Sequence, residues 1–237
     1  DYTQNIAALY LSTKWQLNKE WGAVAGLRVE NTLIKGQWNS IQNDVWIQNE
    51  KKPFDNEYTT LLPSFIISKK IDMMSSLKAS YSKRIFRPGI RYINPNISYT
   101  DTLSLTEGNP QLNPEITHQL ELGYKNFRGK YKGSYYIFAK QTYDLIESNI
   151  RLLENTSITS YKNIGENLSL GFNYYGSIKL GAANLRAGFN LYTYQTTSDD
   201  LGRVLYNWNL GGNFDMGKGY KAETFGFFRA PNQTSQG

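Results

Sequence analysis

The strongest constraint on this chain is a two-residue alternation of apolar and polar side chains, sustained over segments far longer than an ordinary strand. Between Asn167 and Leu180, one face collects Leu168, Leu170, Phe172, Tyr174, Ile178 and Leu180. The other collects Asn167, Ser169, Gly171, Asn173, Ser177 and Lys179. Period two over that length specifies a strand with one apolar face. The same contrast sets Ala23, Ala25, Leu27 and Val29 against Arg28, Glu30 and Thr32, and His118, Leu120, Leu122 and Tyr124 against Gln119, Glu121 and Lys125. The pattern predicts ten strands, at 4–15, 21–35, 58–69, 73–84, 115–126, 130–150, 157–179, 183–195, 203–216 and 219–230. Most exceed the roughly 5–6 residues of an average soluble strand and reach the length of about 9–11 that a tilted strand needs to cross a bilayer.

Connection lengths sharpen the prediction. Short turns fall at Asn18-Lys19, Lys70-Ile71, Arg128-Gly129, Gly181-Ala182 and Gly217-Lys218, and longer segments at 36–57, 85–114, 151–156 and 196–202. Short and long connections therefore alternate along the whole chain. Tight turns on one side and long loops on the other are the mark of an antiparallel up-and-down transmembrane β-barrel, whereas a Greek-key sandwich has no reason to follow that rule. In such a barrel the apolar face meets lipid. The opposite face, with Arg28, Glu30, Lys78, Arg84, Glu121, Arg186, Arg203 and Asp215, meets a polar interior. Pro63 is expected to bulge the third strand or to precede it, since proline cannot donate to a ladder. Strands six and seven lose alternation between 141 and 162 and are expected to project beyond the membrane there.

Composition agrees. The longest unbroken apolar run is Ile6 to Leu11, too short for a spanning helix of about 20 residues. The chain has no cysteine, which excludes disulfides and thiolate metal sites. Its formal charge of +6 comes from Lys and Arg residues scattered along strands and turns rather than massed in one run, so nucleic acid is not expected as a partner. The 18 tyrosines and 5 tryptophans suit an interfacial girdle. Candidates at the short-turn end are Trp15 and Trp21, Tyr124 and Tyr131, and Phe214 and Tyr220, all on the apolar face.

Residues 108–115 read Gly-Asn-Pro-Gln-Leu-Asn-Pro-Glu. Pro110 and Pro114 fix φ and hold Asn109 and Asn113 extended, while Gly108 permits a tight bend. The segment is a stiff lead from loop to strand, and its role is structural. It resembles a signature of TonB-dependent receptor barrels, carried here by Gly108, Asn109, Pro110, Leu112, Pro114 and Glu115. The following Glu121-Leu122-Gly123-Tyr124 resembles the family's next strand. Tyr81-Ser82-Lys83-Arg84, Arg87-Pro88 and Asn94-Pro95 resemble what precedes the signature. Asn163-Ile164-Gly165 with Gly171, and Arg229 to Thr234, resemble later blocks. The resemblance implies a 22-stranded barrel in the cell outer membrane, filled by a plug domain of the same polypeptide. It also implies a periplasmic TonB that pulls on the plug to admit a scarce small-molecule, glycan or peptide ligand. Residues 1–237 are expected to be part of such a barrel, with signal peptide, plug and closing strand outside this chain. Ten strands alone are expected to form a curved open sheet or an incompletely closed barrel.

No catalytic constellation is legible. The single histidine, His118, falls on the apolar face, where a lipid-facing or interfacial position is expected rather than a ligand role. There is no His/Cys cluster, phosphate loop or nucleophile elbow. Asp199-Asp200 is expected to be a solvated turn. No metal, cofactor or enzymatic activity is expected. Ligand-contact candidates in the long loops are Trp38, Trp46, Arg87, Arg91, Tyr92 and Tyr99, because aromatic faces and guanidinium groups suit a sugar, an iron chelate or an acidic peptide. Two other readings remain open. A passive porin predicts no plug and a constricting loop inside the lumen, and a soluble all-β surface protein needs a second sheet over the apolar faces.

Overall fold

A computed structural model describes residues 2–36, 39–42, 45–48, 54–96, 98–101, 103–153, 155–197 and 202–230. The side chains of 39–42, 45–48 and 99–101 lie outside that description. In chain order the elements are β1 (Tyr2–Gln16), β2 (Trp21–Gly36), β3 (Asn39–Gln42), β4 (Val45–Gln48), β5 (Phe54–Lys70), β6 (Ser75–Phe86), α1 (Ile90–Ile93), β7 (Ser98–Asp101) and β8 (Ser104–Thr106). They continue with β9 (Glu115–Asn126), β10 (Tyr131–Tyr143), β11 (Ile146–Leu153), β12 (Thr156–Asn163), β13 (Glu166–Leu180), β14 (Ala183–Thr196), β15 (Arg203–Gly217) and β16 (Tyr220–Arg229).

Ten long strands form one sheet in the order β1-β2-β5-β6-β9-β10-β13-β14-β15-β16, each antiparallel to its neighbours. The expected up-and-down topology is therefore present. Among the described residues β1 and β16 do not pair with each other, so the sheet is open. The register puts the apolar set on one face throughout. Leu27 lies opposite Leu11 and Pro63, Leu122 opposite Ala79 and Ile137, and Leu191 opposite Phe172 and Tyr206. These side chains are open to the surroundings, with Leu9 at 78% and Leu122 at 55%. A face of that size suits lipid and is untenable in water. From Trp21 to Asn31, and from Tyr131 to Gln141, ten residues separate the short-turn end from the first polar outward side chain. At about 3.3 Å per residue and a tilt of about 40°, that is an apolar belt about 25 Å tall.

Two expectations need correction. Pro63 neither bulges β5 nor precedes it, because its register with β2 is continuous through Leu27. The proline marks instead where pairing with β6 stops, at Ser64 opposite Ser82, so the missing donor falls where the second ladder ends. Strands six and seven do not run unbroken through 130–150 and 157–179. The ladder kinks where Asp144 (φ 55) and Gly165 (φ 71) turn the backbone into left-handed conformations. Beyond the kink β11 and β12 form a hairpin that joins β8 and β7 in a separate sheet, with β12 parallel to β8. The long 85–114 connection is likewise structured, since it holds α1, β7 and β8.

At the short-turn side, Arg128 bonds Asp72 at 2.6 Å and ties two neighbouring turns together. The Met74 amide, and secondarily Arg128, hold the Asp72 carboxyl below the usual range. A carboxyl whose folded pKa is depressed stabilises above its unfolded pKa, and the contribution fades as pH falls through the folded one. Replacement Leu122→Arg is expected to cost about 2–4 kcal/mol of assembly free energy, measured as the fraction of folded barrel in lipid vesicles. Glu121→Gln, on the opposite face, is the control and leaves that fraction unchanged.

Candidate functional site

The described core is not inside a sandwich but at the long-loop end, on the inner face of the sheet. Ile34, Ile93, Leu112 and Tyr161 are buried there, with Tyr2, Phe54, Tyr58, Tyr92 and Ile146 packed around them. Four parts of the chain meet: the inner ends of β1, β2 and β5, the α1 loop, the signature segment and the β11–β12 hairpin. The loops thus fold inward onto the inner face of β1, β2 and β5 at the long-loop end.

A polar anchor lies beneath them. Glu30 and Thr32 on β2 are buried, at 5% and 0% exposure. Arg87 donates to both, through its Nε to Thr32 at 3.1 Å and through its terminal nitrogen to Glu30. Arg28 also bonds Glu30. Two guanidinium groups therefore share one carboxylate. Burial, and beyond it the charge of Arg28, push the Arg87 pKa down, so the carboxylate is what keeps the pair of cations together. Pro88 is fully buried beside this anchor.

The signature segment is the hub of the closure. Gly108 N–H donates to Asn94 O at 2.8 Å and Asn109 N–H to Tyr92 O at 2.7 Å. The Asn109 side chain donates to Tyr161 O at 3.0 Å and accepts from the Gln111 amide at 3.0 Å. Asn113 and Asn163 exchange hydrogen bonds: the Asn113 N–H donates to Asn163 Oδ1 at 2.8 Å, and Asn163 Nδ2 to Asn113 O at 3.0 Å. Asn163 Nδ2 also reaches Asp144 O at 2.6 Å, at the kink. Glu115 accepts the Ile146 N–H at 2.9 Å, which ties the hairpin to the start of β9. Gly108 is needed for a reason other than the bend read from sequence. A Cβ there would stand 2.5 Å from Asn94 O and 2.8 Å from Tyr92 O, both backbone atoms. Leu112, 1% exposed, is the apolar plug of the hub.

Of the six ligand-contact candidates, Arg87 and Tyr92 belong to this closure, Tyr92 packing edge-on against Tyr161 at 4.9 Å. Arg91 is exposed on α1. Trp38 lies outside the described residues, and Trp46 and Tyr99 lie in β4 and β7 with undescribed side chains. The register places all six girdle candidates on the outer face. There Tyr131 contacts the Tyr135 and Tyr174 hydroxyls, and Lys69 stands 5.2 Å over the Trp21 ring. His118 also faces outward, bonded to the Tyr81 hydroxyl at 2.9 Å and edge-on to Tyr143. Sequence reasoning missed the closing roles of Glu30, Asn163 and Tyr161. The resemblance had flagged Asn163 without saying what it holds.

This architecture, an open run of amphipathic barrel strands with loops folded onto its inner face, has a family. A profile of the outer membrane protein β-barrel family matches residues 1–237, and the chain belongs to that family, in the cell outer membrane. Among solved structures, its fold is that of part of several larger transporter and receptor chains. It resembles "Copper transporter OprC" with a TM-score of 0.75 and 16% identity over 92% of this chain and 33% of that one. It resembles the Serratia marcescens hemophore receptor HasR, solved with its hemophore HasA and heme, with a TM-score of 0.70 and 13% identity over 96% and 44%. For the Neisseria meningitidis FrpB iron transporter, F5-1 variant, the TM-score is 0.66 and the identity 14%, over 95% and 33%. The chain spans between a third and a half of these proteins. No curated protein matches it.

Two variants test the hub. Gly108→Ala forces the 92–94 backbone away and is expected to cost about 1–3 kcal/mol, seen as faster limited proteolysis in 87–114 while the barrel stays assembled. Glu30→Gln leaves two guanidinium groups without their carboxylate, at a cost of about 3 kcal/mol by chemical denaturation. Thr59→Val, on the outer face of β5, should leave both readouts near wild type.

Proposed function

We propose that this chain is part of the barrel of an outer-membrane, TonB-dependent receptor that binds and imports a scarce ligand, such as an iron chelate, a glycan or a peptide. The observation that carries the reading is the inward-folded closure built on the signature segment. Loops held at 2.7–3.0 Å by backbone and amide bonds to one another form a rigid external rim, which a receptor needs for preorganised capture. The transporters that share the fold support the same direction. On this reading the plug belongs to the same polypeptide outside residues 1–237, and TonB acts through it. Trp38, Trp46, Arg91 and Tyr99 contact ligand at the rim, while Arg87 and Tyr92 form its base. Trp15, Trp21, Tyr124, Tyr131, Phe214 and Tyr220 seat the barrel at the periplasmic interface. On this reading transport belongs to the whole receptor, and this chain contributes barrel wall and external loops rather than catalysis.

Deletion of the gene is expected to abolish growth on one limiting nutrient of these classes, and loss of TonB is expected to reproduce the defect. Uptake that survives loss of TonB and rises linearly with concentration would return the protein to the passive porin class.

A further inference from the structure

The lipid-facing side of the sheet is not uniform. Towards the short-turn end, register lays three outward rows of six residues across β2, β5, β6, β9, β10 and β13. The first runs from Trp21 through Lys69 and Tyr124 to Tyr174, the second from Ala23 through Ala79 to Phe172, and the third from Ala25 through Tyr81 to Leu170. Lys69 is the one charged side chain in the three rows. Where Ala79 stands between the larger Ile67 and Leu122, the wall dips. Two concavities of about 510 and 490 Å³ open there, and both are lined by Ile67, Ala79, Leu122 and Ile137, so they form one groove. Trp21, Lys69 and Tyr124 stand at its short-turn end, and Leu120, Ala139 and Leu170 line the other end.

The groove is apolar except at that first end. Lys69 is half-buried, with its ammonium 5.2 Å over the Trp21 ring, and among the described residues it has no carboxylate partner. The ring attracts the cation but supplies no countercharge. By contrast Arg128, in the adjacent turn, is paired with Asp72 at 2.6 Å. The Tyr124 ring stacks on Tyr135 with centroids 6.2 Å apart, and its hydroxyl donates to no described residue. At the edge of a bilayer a half-buried ammonium without a protein counter-ion draws one from its surroundings.

We infer that this groove is a site for one anionic phospholipid of the periplasmic leaflet. Its phosphate pairs with Lys69, a glycerol ester carbonyl accepts from the Tyr124 hydroxyl, and one acyl chain lies along the dip at Ala79. Lys69 and Tyr124 sit two strands apart, about 10 Å, which a phosphate and its glycerol esters together span. A headgroup with an ammonium of its own sets like charge against Lys69, so a net negative headgroup is preferred. Inside lipid the chain gains nothing by leaving water, and the groove holds it through shape and close contact. The inference is independent of import. It rests on the proposed placement of the short turns at the periplasm, where the lipid of an outer membrane is phospholipid.

The test reconstitutes the complete receptor in bilayers of phosphatidylglycerol and phosphatidylethanolamine in equal amounts, extracts it into mild detergent and reads retained lipid by native mass spectrometry. One phosphatidylglycerol per receptor is expected, preferred over phosphatidylethanolamine by about fivefold, the worth of one lysine at a lipid surface. Lys69→Gln is expected to erase that preference. Ala79→Leu, which fills the groove without changing charge, is expected to lower retention. Lys83→Gln, on the same face but at the far edge of the belt, leaves both unchanged. Equal retention of the two phospholipids, a preference that survives Lys69→Gln, or retention indifferent to Ala79→Leu overturns the inference. The comparison of lipids on the unaltered receptor decides even if a variant does not assemble. For receptor taken directly from outer membranes, lipopolysaccharide held through Lys69 in place of phospholipid would overturn it too, and would reverse the orientation of the barrel. Uptake that proves independent of TonB would leave this site standing and remove energised import.

Discussion

The ten-strand sheet depends on backbone hydrogen bonding in a medium that offers no water. In lipid an unpaired N–H or C=O costs several kcal/mol, so each strand in the bilayer must be paired on both sides or stand at an edge that something else completes. That requirement turns an otherwise polar sequence into a membrane protein. It fixes the strands as nearest-neighbour antiparallel pairs, and with them the two-residue period by which one face can be apolar and the other wet. Pro63 shows the rule at its limit: a residue without a donor is accommodated where one of its two ladders ends.

Outside the bilayer the constraint relaxes, and the chain does different things. Past Asp144 and Gly165 the ladder bends away, pairs in parallel with a three-residue strand and buries a small apolar cluster. The barrel is held by ladders and lipid. The rim is held by side-chain bonds of Asn109, Asn163, Glu115 and Glu30, a kind of interior the transmembrane part does not need. Glycines serve both regions through lack of bulk. Gly123 and Gly171 lie beneath Tyr136 and Phe138 on the inner wall, and Gly108 lies beneath the 92–94 backbone.

This division explains what could be read from the sequence. The ten barrel strands, their faces and their alternating turns were legible because lipid imposes one periodic pattern on all of them. The break between 141 and 162 was visible only as lost alternation, since short strands in a mixed sheet have no single buried face. The signature residues could be located, yet their work could not. Gly108 matters because a segment about fourteen residues earlier folds onto it, and Asn163 because it meets Asn113 from 50 positions away. Such meetings leave no local trace. Phe225 and Phe227 were in plain view, but their lumen orientation follows only from the register of β16 against β15.

The parallel pairing of β8 with β12 carries a consequence for the order in which the chain takes shape. Residues 104–106 find their partners only at 157–159, and Arg87 finds Glu30 only across 57 positions. The barrel hairpins close between neighbours and can zip in sequence as they enter the membrane. The rim must wait until β9 and β10 are in place and the 146–163 hairpin has come through to the outside. Its completion is therefore a late event, and a chain halted before it would be inserted yet unfinished, with its loops accessible to proteases on the cell surface.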